Sequence, residues 1–255
     1  MGSQENPESL VALIPARAGS KRVKHKNIAR LKGHPLIAYT ISAAKSSGVY
    51  DAVIVSTDSE QYAEIARHYG AETPFLRPEE LARDTSPDIE WIVHALGFLS
   101  EHGRSFDCFS ILRPTSPCRQ PATIRRAWAQ FCAQKGIDSL RAVEPCAQHP
   151  GKMWIVRGER MHPLMPMTPD EVTPYHSTQY AGLPKVYVQN ASLEIAWSRV
   201  ALEQNVIAGE VITPFLTRDG EGLDVNSPYD WRLLEAMVED GMVELPEVKQ
   251  EPFRE

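Results

Sequence analysis

Cysteine is scarce in this 255-residue chain, and so is positive charge. The four cysteines, Cys108, Cys118, Cys132 and Cys146, form no C-x-x-C pair and stand near no histidine pair at zinc-finger spacing. A zinc finger and a disulfide framework are therefore disfavoured, and reduced structural thiols in a cytoplasmic protein are expected. Lys and Arg number 27 against 33 Asp and Glu, a net charge of -6, so no general basic field exists to hold nucleic acid. An anionic substrate must be gripped by a local cluster. No run approaches the roughly 18 to 20 apolar residues of a membrane span, and the polar start MGSQENPES has no leader-like apolar core. Neither membrane insertion nor export is expected. Both G-x-x-x-x-G-K-[ST] and G-x-G-x-x-G are missing as well, which disfavours P-loop hydrolases and dinucleotide dehydrogenases.

What is present is a chain that is 42% hydrophobic, enough for one globular domain with a small appendage. Short apolar runs alternate with helical periodicity, as in strand–helix units around a parallel sheet. Strands are predicted at Leu10–Pro15, Ala52–Thr57 and Asp107–Leu112, with shorter ones at Glu72–Leu76 and Ser139–Val143. Helices are predicted at Pro35–Ser47, Glu60–Tyr69, Ile89–Ser100 and Ala122–Gln134. The fold expected is a Rossmann-like open, mostly parallel sheet of the α/β class, with ligands at the carboxyl ends of the strands. The loops after Pro15, Thr57 and Leu112 are then the places for a site.

From about Cys146 to Gln179, five prolines, with Pro145 just ahead of them, interrupt every possible helix, which reads as an excursion from the sheet. Strand-like composition returns at Val186–Trp197, and Pro228–Val238 reads as a last amphipathic helix. The expected organisation is a flexible start (1–9), one domain (10–245) with a lid or oligomerisation arm (146–180), and a frayed charged tail (246–255).

The loop after the first strand, Ala16 to Asn27, packs five cations into the ten positions from Arg17 to Lys26 of an otherwise acidic chain. Gly19 permits close backbone approach, exposed amides can form an anion-binding nest, and the cations can neutralise a polyphosphate. A solvated basic loop is the ordinary reading of such a charge run. Its place at a strand's carboxyl end favours a ligand.

Together with Val55-Ser56-Thr57-Asp58, Leu112-Arg113-Pro114-Thr115-Ser116-Pro117 and Gly222-Leu223-Asp224-Val225-Asn226, this loop closely resembles the acylneuraminate cytidylyltransferases, the CMP-sialic acid synthetases. The match runs in order from about Leu10 to Gly241. The resemblance implies a nucleotidyltransferase that binds CTP and Mg²⁺, lets an acceptor oxygen attack the α-phosphate and releases pyrophosphate. It implies that Ala16, Arg17, Ser20, Lys21, Lys26 and Asn27 hold the nucleotide, with Lys21 the first choice for the α-phosphate in the transition state and Arg17 beside it. Arg77 matches a segment that borders the base. Asp224 matches the first aspartate of a metal-binding D-I-D-T segment, where one carboxylate plus phosphate oxygens and waters suffices for Mg²⁺. Asn226 takes the place of the second, and with Ser227 is better placed than Asp224 to cap the helix that follows. A homodimer whose protomers exchange the proline-rich arm is also implied.

The acceptor side departs from the family pattern. Arg113 stands where the family has glutamine, Tyr180 where it has the arginine of R-Q-x-L-P, and Asn190-Ala191-Ser192-Leu193-Glu194 where it has N-G-A-I-Y, so that Glu194 replaces an aromatic residue. His149 falls in a segment like one in the family's acceptor half. A bidentate arginine suits phosphate and a glutamate suits an amine or hydroxyls. Two acceptors are therefore open: a nonulosonic sugar acid, with ordinary family drift, or a phosphorylated sugar such as a hexosamine 1-phosphate, with CTP or GTP. A nucleotide-binding protein with reduced catalysis, marked by Asn226, is the reading from another class.

Overall fold

The computed structural model describes residues 6–19, 24–166 and 173–254. In chain order the first half runs β1 (Leu10–Pro15), β2 (Arg30–Leu31), β3 (His34–Pro35), α1 (Leu36–Ser47), β4 (Ala52–Ser56), α2 (Glu60–His68), α3 (Asp88–Glu101), β5 (Cys108–Ile111) and α4 (Pro121–Ala133). The second half runs β6 (Ser139–Pro145), β7 (Trp154–Arg157), β8 (Arg160–Pro163), β9 (Tyr187–Trp197), α5 (Ser198–Gln204), β10 (Ile212–Leu216) and α6 (Pro228–Glu239). These form two units, one of Met1–Ala142 with Asn190–Glu255 and one of Val143–Gln189.

The sheet of six strands has the order β10-β6-β9-β5-β1-β4. β1 pairs in parallel with both β4 and β5, while β9 lies antiparallel to β5 with Ile111 opposite Glu194. The uninterrupted apolar runs LVALIP and AVIVS suit this position, because a central parallel strand is covered on both faces. Successive side chains of a strand point to opposite faces, and β1 divides accordingly. Leu10, Ala12 and Ile14 pack in one layer with Ile41 of α1, Ile65 of α2 and Phe131 of α4. Val11 and Leu13 pack in the other with Trp91 and Leu96 of α3 and Ala201 of α5. A third cluster joins Leu31, Leu36 and Tyr39 to Val225 and Leu234, which draws the start of α6 to the strand ends.

Helix ends follow the chemistry of their termini. The Ser59 hydroxyl accepts the Tyr62 N–H at the start of α2, and Gly48 closes α1 in the left-handed conformation at φ 69°. All four cysteines are free, Cys108 and Cys118 buried; burial pushes the Cys118 thiol up to about 11.

Two expectations need correction, and one segment carried no expectation. Glu72–Leu76 is no strand: a single bridge joins Ile54 to Glu72, because Pro74 and Pro78 break the ladder on either side. The segment 198–216 supplies α5 and β10, which the sequence pattern did not signal. The charged tail is not frayed over the described residues to 254. Val248 and Phe253 pack against the core, the Phe253 N–H donates to Tyr69 Oη at 3.0 Å, and its carbonyl accepts from Arg30.

Among the described residues of the smaller unit the helical structure is limited to single 3₁₀ turns at 150–152, 175–177 and 180–182, and β7 pairs with β8 as a hairpin. Trp154, Ile155, Val156 and Met161 of this hairpin are exposed.

Candidate active site

The loops that follow β1 and β5, together with the segment ahead of α6, enclose a cavity of about 370 Å³. Its lining includes Arg17, Lys26, Asn27, Arg77, Arg113 and Asp224. This is the carboxyl edge of the parallel strands, where a doubly wound sheet leaves room for ligands.

Hydrogen bonds fix the two described ends of the basic loop. Ala16 N–H continues the ladder to the Ser56 carbonyl at 2.9 Å, Ala18 N–H donates to Asp58 Oδ1 at 2.8 Å, and the Asn27 amide donates to the Arg17 carbonyl at 3.2 Å. Arg17 Nη1 meets Asp84 Oδ1 at 2.5 Å. Arg77 is almost fully buried: Nε and Nη2 donate to the Ser56 hydroxyl and carbonyl at 3.0 and 2.8 Å, and its guanidinium lies 4.9 Å from the Trp91 ring centroid. Burial lowers its pKa to about 10, and it stays a cation at neutral pH. Ser20 and Lys21, the latter the first choice for the α-phosphate, lie outside the described residues.

Lys26 joins distant parts of the chain. Its Nζ donates to the Val225 carbonyl at 2.7 Å and to Asn226 Oδ1 at 3.4 Å, and Val225 N–H donates to the Thr115 carbonyl at 2.8 Å. The segment 224–226 is fixed from the other side by α6, where Ser227 and Asp230 form a capping box. Asp230 Oδ2 accepts the N–H groups of Asn226 and Ser227 at 2.9 and 2.7 Å. The cap falls on Ser227, which leaves Asp224 free for other work. Asn226 donates its amide to Asp224 Oδ2, while Asp224 Oδ1 is shielded from solvent and, among the described residues, without a hydrogen-bond partner. A buried acceptor in that state calls for a ligand.

The acceptor candidates separate into three groups. Arg113, at the end of β5, is not a free cation: Nη2 donates to Asp88 Oδ2 at 2.6 Å and to Glu194 Oε1 at 3.4 Å. Glu194 Oε2 in turn lies 3.1 Å from Arg141 Nη1. Burial disfavours both charges of the Arg113–Asp88 pair, but mutual attraction outweighs it, holding Asp88 below and Arg113 above their usual ranges. Asn190 is nine-tenths buried and spends its amide on Thr217 Oγ1 and the Ser192 N–H. His149 and Tyr180 belong to the smaller unit. There Tyr180 Oη donates to the Ala147 carbonyl and accepts the His149 N–H, and His149 Nδ1 accepts from Gly151 N–H. That contact assigns the remaining ring proton to Nε2, which faces the Pro184 carbonyl at 2.9 Å.

Sequence reading missed Asp88, Arg141 and Arg119. Asp88 looks like an ordinary first-turn acid, Arg141 an alternating strand residue, and only the strand order β6-β9-β5 brings them to Arg113. Arg119 is fully buried and donates to the carbonyls of Ser192 and Arg113 and to Thr40 Oγ1. No pattern signals a buried arginine that serves neutral acceptors.

A CMP-N,N'-diacetyllegionaminic acid synthase of Legionella pneumophila is 36% identical to this chain over 234 residues, 90% of this chain and 96% of that protein. The chain belongs to the acylneuraminate cytidylyltransferase family. Residues 11–134 of this cytidylyltransferase match the family model described as cytidylyltransferase. An N-acylneuraminate cytidylyltransferase of Escherichia coli is 48% identical over 118 residues, which are 46% of this chain and 27% of that longer protein. Among solved structures, a CMP-2-keto-3-deoxy-manno-octonic acid synthetase complexed with CTP superposes with a TM-score of 0.66 over 92% of the cytidylyltransferase and all of its own chain, at 13% identity. At that identity the likeness supports the fold alone.

Proposed function

We propose that this cytidylyltransferase transfers CMP from CTP to a nonulosonic sugar acid, with Mg²⁺ and with release of pyrophosphate. The observation that carries the reading is the cavity itself: four cations line it, and one wall holds Asp224, whose Oδ1 has no partner among the described residues. The relative that matches along almost its whole length is named for a CMP-sugar acid of this class.

Asp224 fits a hard cation that takes its other ligands from phosphate and water. Among the described residues no cluster of three or more His, Cys, Asp or Glu could form an all-protein cage. When bound, Mg²⁺ would neutralise charge on the triphosphate. Arg17 and Lys26 would orient the phosphates through charge and directed N–H donors. Arg77 has its guanidinium fixed by Ser56 and Trp91 and presents a rigid edge to the nucleotide. Catalysis would then rest on positioning and charge stabilisation while the acceptor's anomeric hydroxyl attacks in line. We also propose that the enzyme works as a homodimer, supported by the exposed apolar hairpin β7–β8.

Pyrophosphate release tests this reading, with CTP, GTP, UTP and ATP crossed against nonulosonic acids and hexosamine 1-phosphates, with Mg²⁺ and with EDTA. The expected result is turnover with CTP and a nonulosonic acid that EDTA abolishes. Turnover confined to phosphorylated acceptors would overturn it.

A further inference from the structure

Four charges cross the floor of the acceptor side in alternating order. Arg141 of β6, Glu194 of β9, Arg113 beyond β5 and Asp88 at the start of α3 follow one another at contacts of 3.1, 3.4 and 2.6 Å. Two cations and two anions make the row neutral. Glu194 is nearly inaccessible, with 7% of its side chain exposed, whereas Arg113 is 27% exposed and lines the cavity. Both side-chain hydrogen bonds of Arg113 come from Nη2; among the described residues, Nη1 and Nε have no hydrogen-bond partner. Asp88 is itself fixed, since Trp91 Nε1 donates to its other oxygen at 2.8 Å.

We propose that, on the CMP-transfer reading above, Asp88 and Glu194 are specificity residues that mask the charge of Arg113, so that it offers N–H donors to neutral acceptor oxygens and excludes phosphorylated acceptors. A guanidinium grips a phosphate through charge as well as geometry. With two carboxylates already on Nη2, the charge that reaches the cavity is largely cancelled, while the directional donors Nη1 and Nε remain. A phosphate monoester, doubly charged near neutral pH, loses most from that cancellation; a hydroxyl or an amide carbonyl loses least. Exclusion of this kind is discrimination by an unfavourable element built against the wrong partner. It also makes Arg113 and Glu194 a coupled pair: a lone Glu194 would leave a buried carboxylate facing Arg141 only, and a lone Arg113 would carry the phosphate site that its residue type suggests.

The test is calorimetric binding of N-acetylglucosamine 1-phosphate, and of inorganic phosphate, to full-length protein saturated with CMP. Asp88→Asn keeps an oxygen for Trp91, and Glu194→Gln keeps the size of a buried side chain; either alone suffices if the other fails to fold. Each is expected to bind the sugar phosphate at least about tenfold more tightly than the unaltered protein, the scale of one lost charge contact in a partly screened site. Adding Arg113→Gln to either should remove the gain. A merely structural role for Asp88 or Glu194 would weaken binding, never strengthen it. Equal or weaker binding by both single variants overturns the proposal. Because this readout needs no turnover, failure of the unaltered protein to transfer CMP to any nonulosonic acid would overturn the function proposed above, and the binding ratio would still decide whether Arg113 is masked.

Discussion

At the scale of single residues, Asp224 shows a group kept at a cost to the fold. Its Oδ1 is shielded from water and without a partner among the described residues, while Oδ2 accepts from Asn226. A buried acceptor left unsatisfied costs roughly 1–3 kcal/mol. Asp224→Asn is therefore expected to lower kcat/KM for CTP by about 10²–10³, the usual effect of losing a charge-stabilising group, with a melting temperature no lower than that of the unaltered enzyme. Steady-state kinetics at saturating Mg²⁺ and a thermal melt check this; retained activity, or a clear loss of stability, would assign Asp224 to the fold. This site was half legible in the sequence. Arg17 and Lys26 stand out within a run of cations at a strand end, Asn27 and Asp224 only through the resemblance to the family's motifs, and all four line the cavity. Arg113 and Glu194 stood out too, but as free groups. Their pairing could not be read, because it depends on β9 lying antiparallel beside β5, a contact between residues 81 positions apart.

At the scale of elements, α6 anchors the segment 224–226. The Ser227 hydroxyl accepts the Asp230 N–H, and the Asp230 carboxylate accepts the N–H groups of Asn226 and Ser227. Those hydrogen bonds, with Lys26 nearby, outweigh partial burial and hold Asp230 below the usual aspartate range. A depressed folded pKa gives stability that is present above the unfolded value and disappears as pH falls through the folded one. Asp230→Ala should thus cost about 1 kcal/mol at pH 7, and the difference should shrink as pH drops below the ordinary aspartate value of about 3.9. Urea midpoints across pH measure it, and a difference constant with pH would remove the carboxylate from the account. The helix itself was readable from Pro228 and its apolar spacing. The segment holding α5 and β10 was not, since Ile212–Leu216 is a short edge strand whose alternating exposure gives too few residues for a pattern.

At the scale of the whole molecule, the hairpin β7–β8 is a liability for a chain that acts alone. Val156 is 70% and Met161 55% exposed, and the two stand directly opposite each other across the ladder, with Trp154 and Ile155 exposed beside them. Apolar surface gathered in this way marks an interaction site more often than chance scatter does. An isolated hairpin is also marginal in water until one face is covered. A second copy of the chain is the partner that the dimer reading supplies. Val156→Asp combined with Met161→Lys separates surface from stability, because an opposite-charge pair at directly opposed positions supports the hairpin while ending its apolar character. Light scattering at micromolar protein should give about twice the chain mass of 28.5 kDa for the unaltered enzyme and the single-chain mass for the double variant. A monomeric unaltered enzyme, or a double variant that stays paired, would sink the assignment of this hairpin to the dimer.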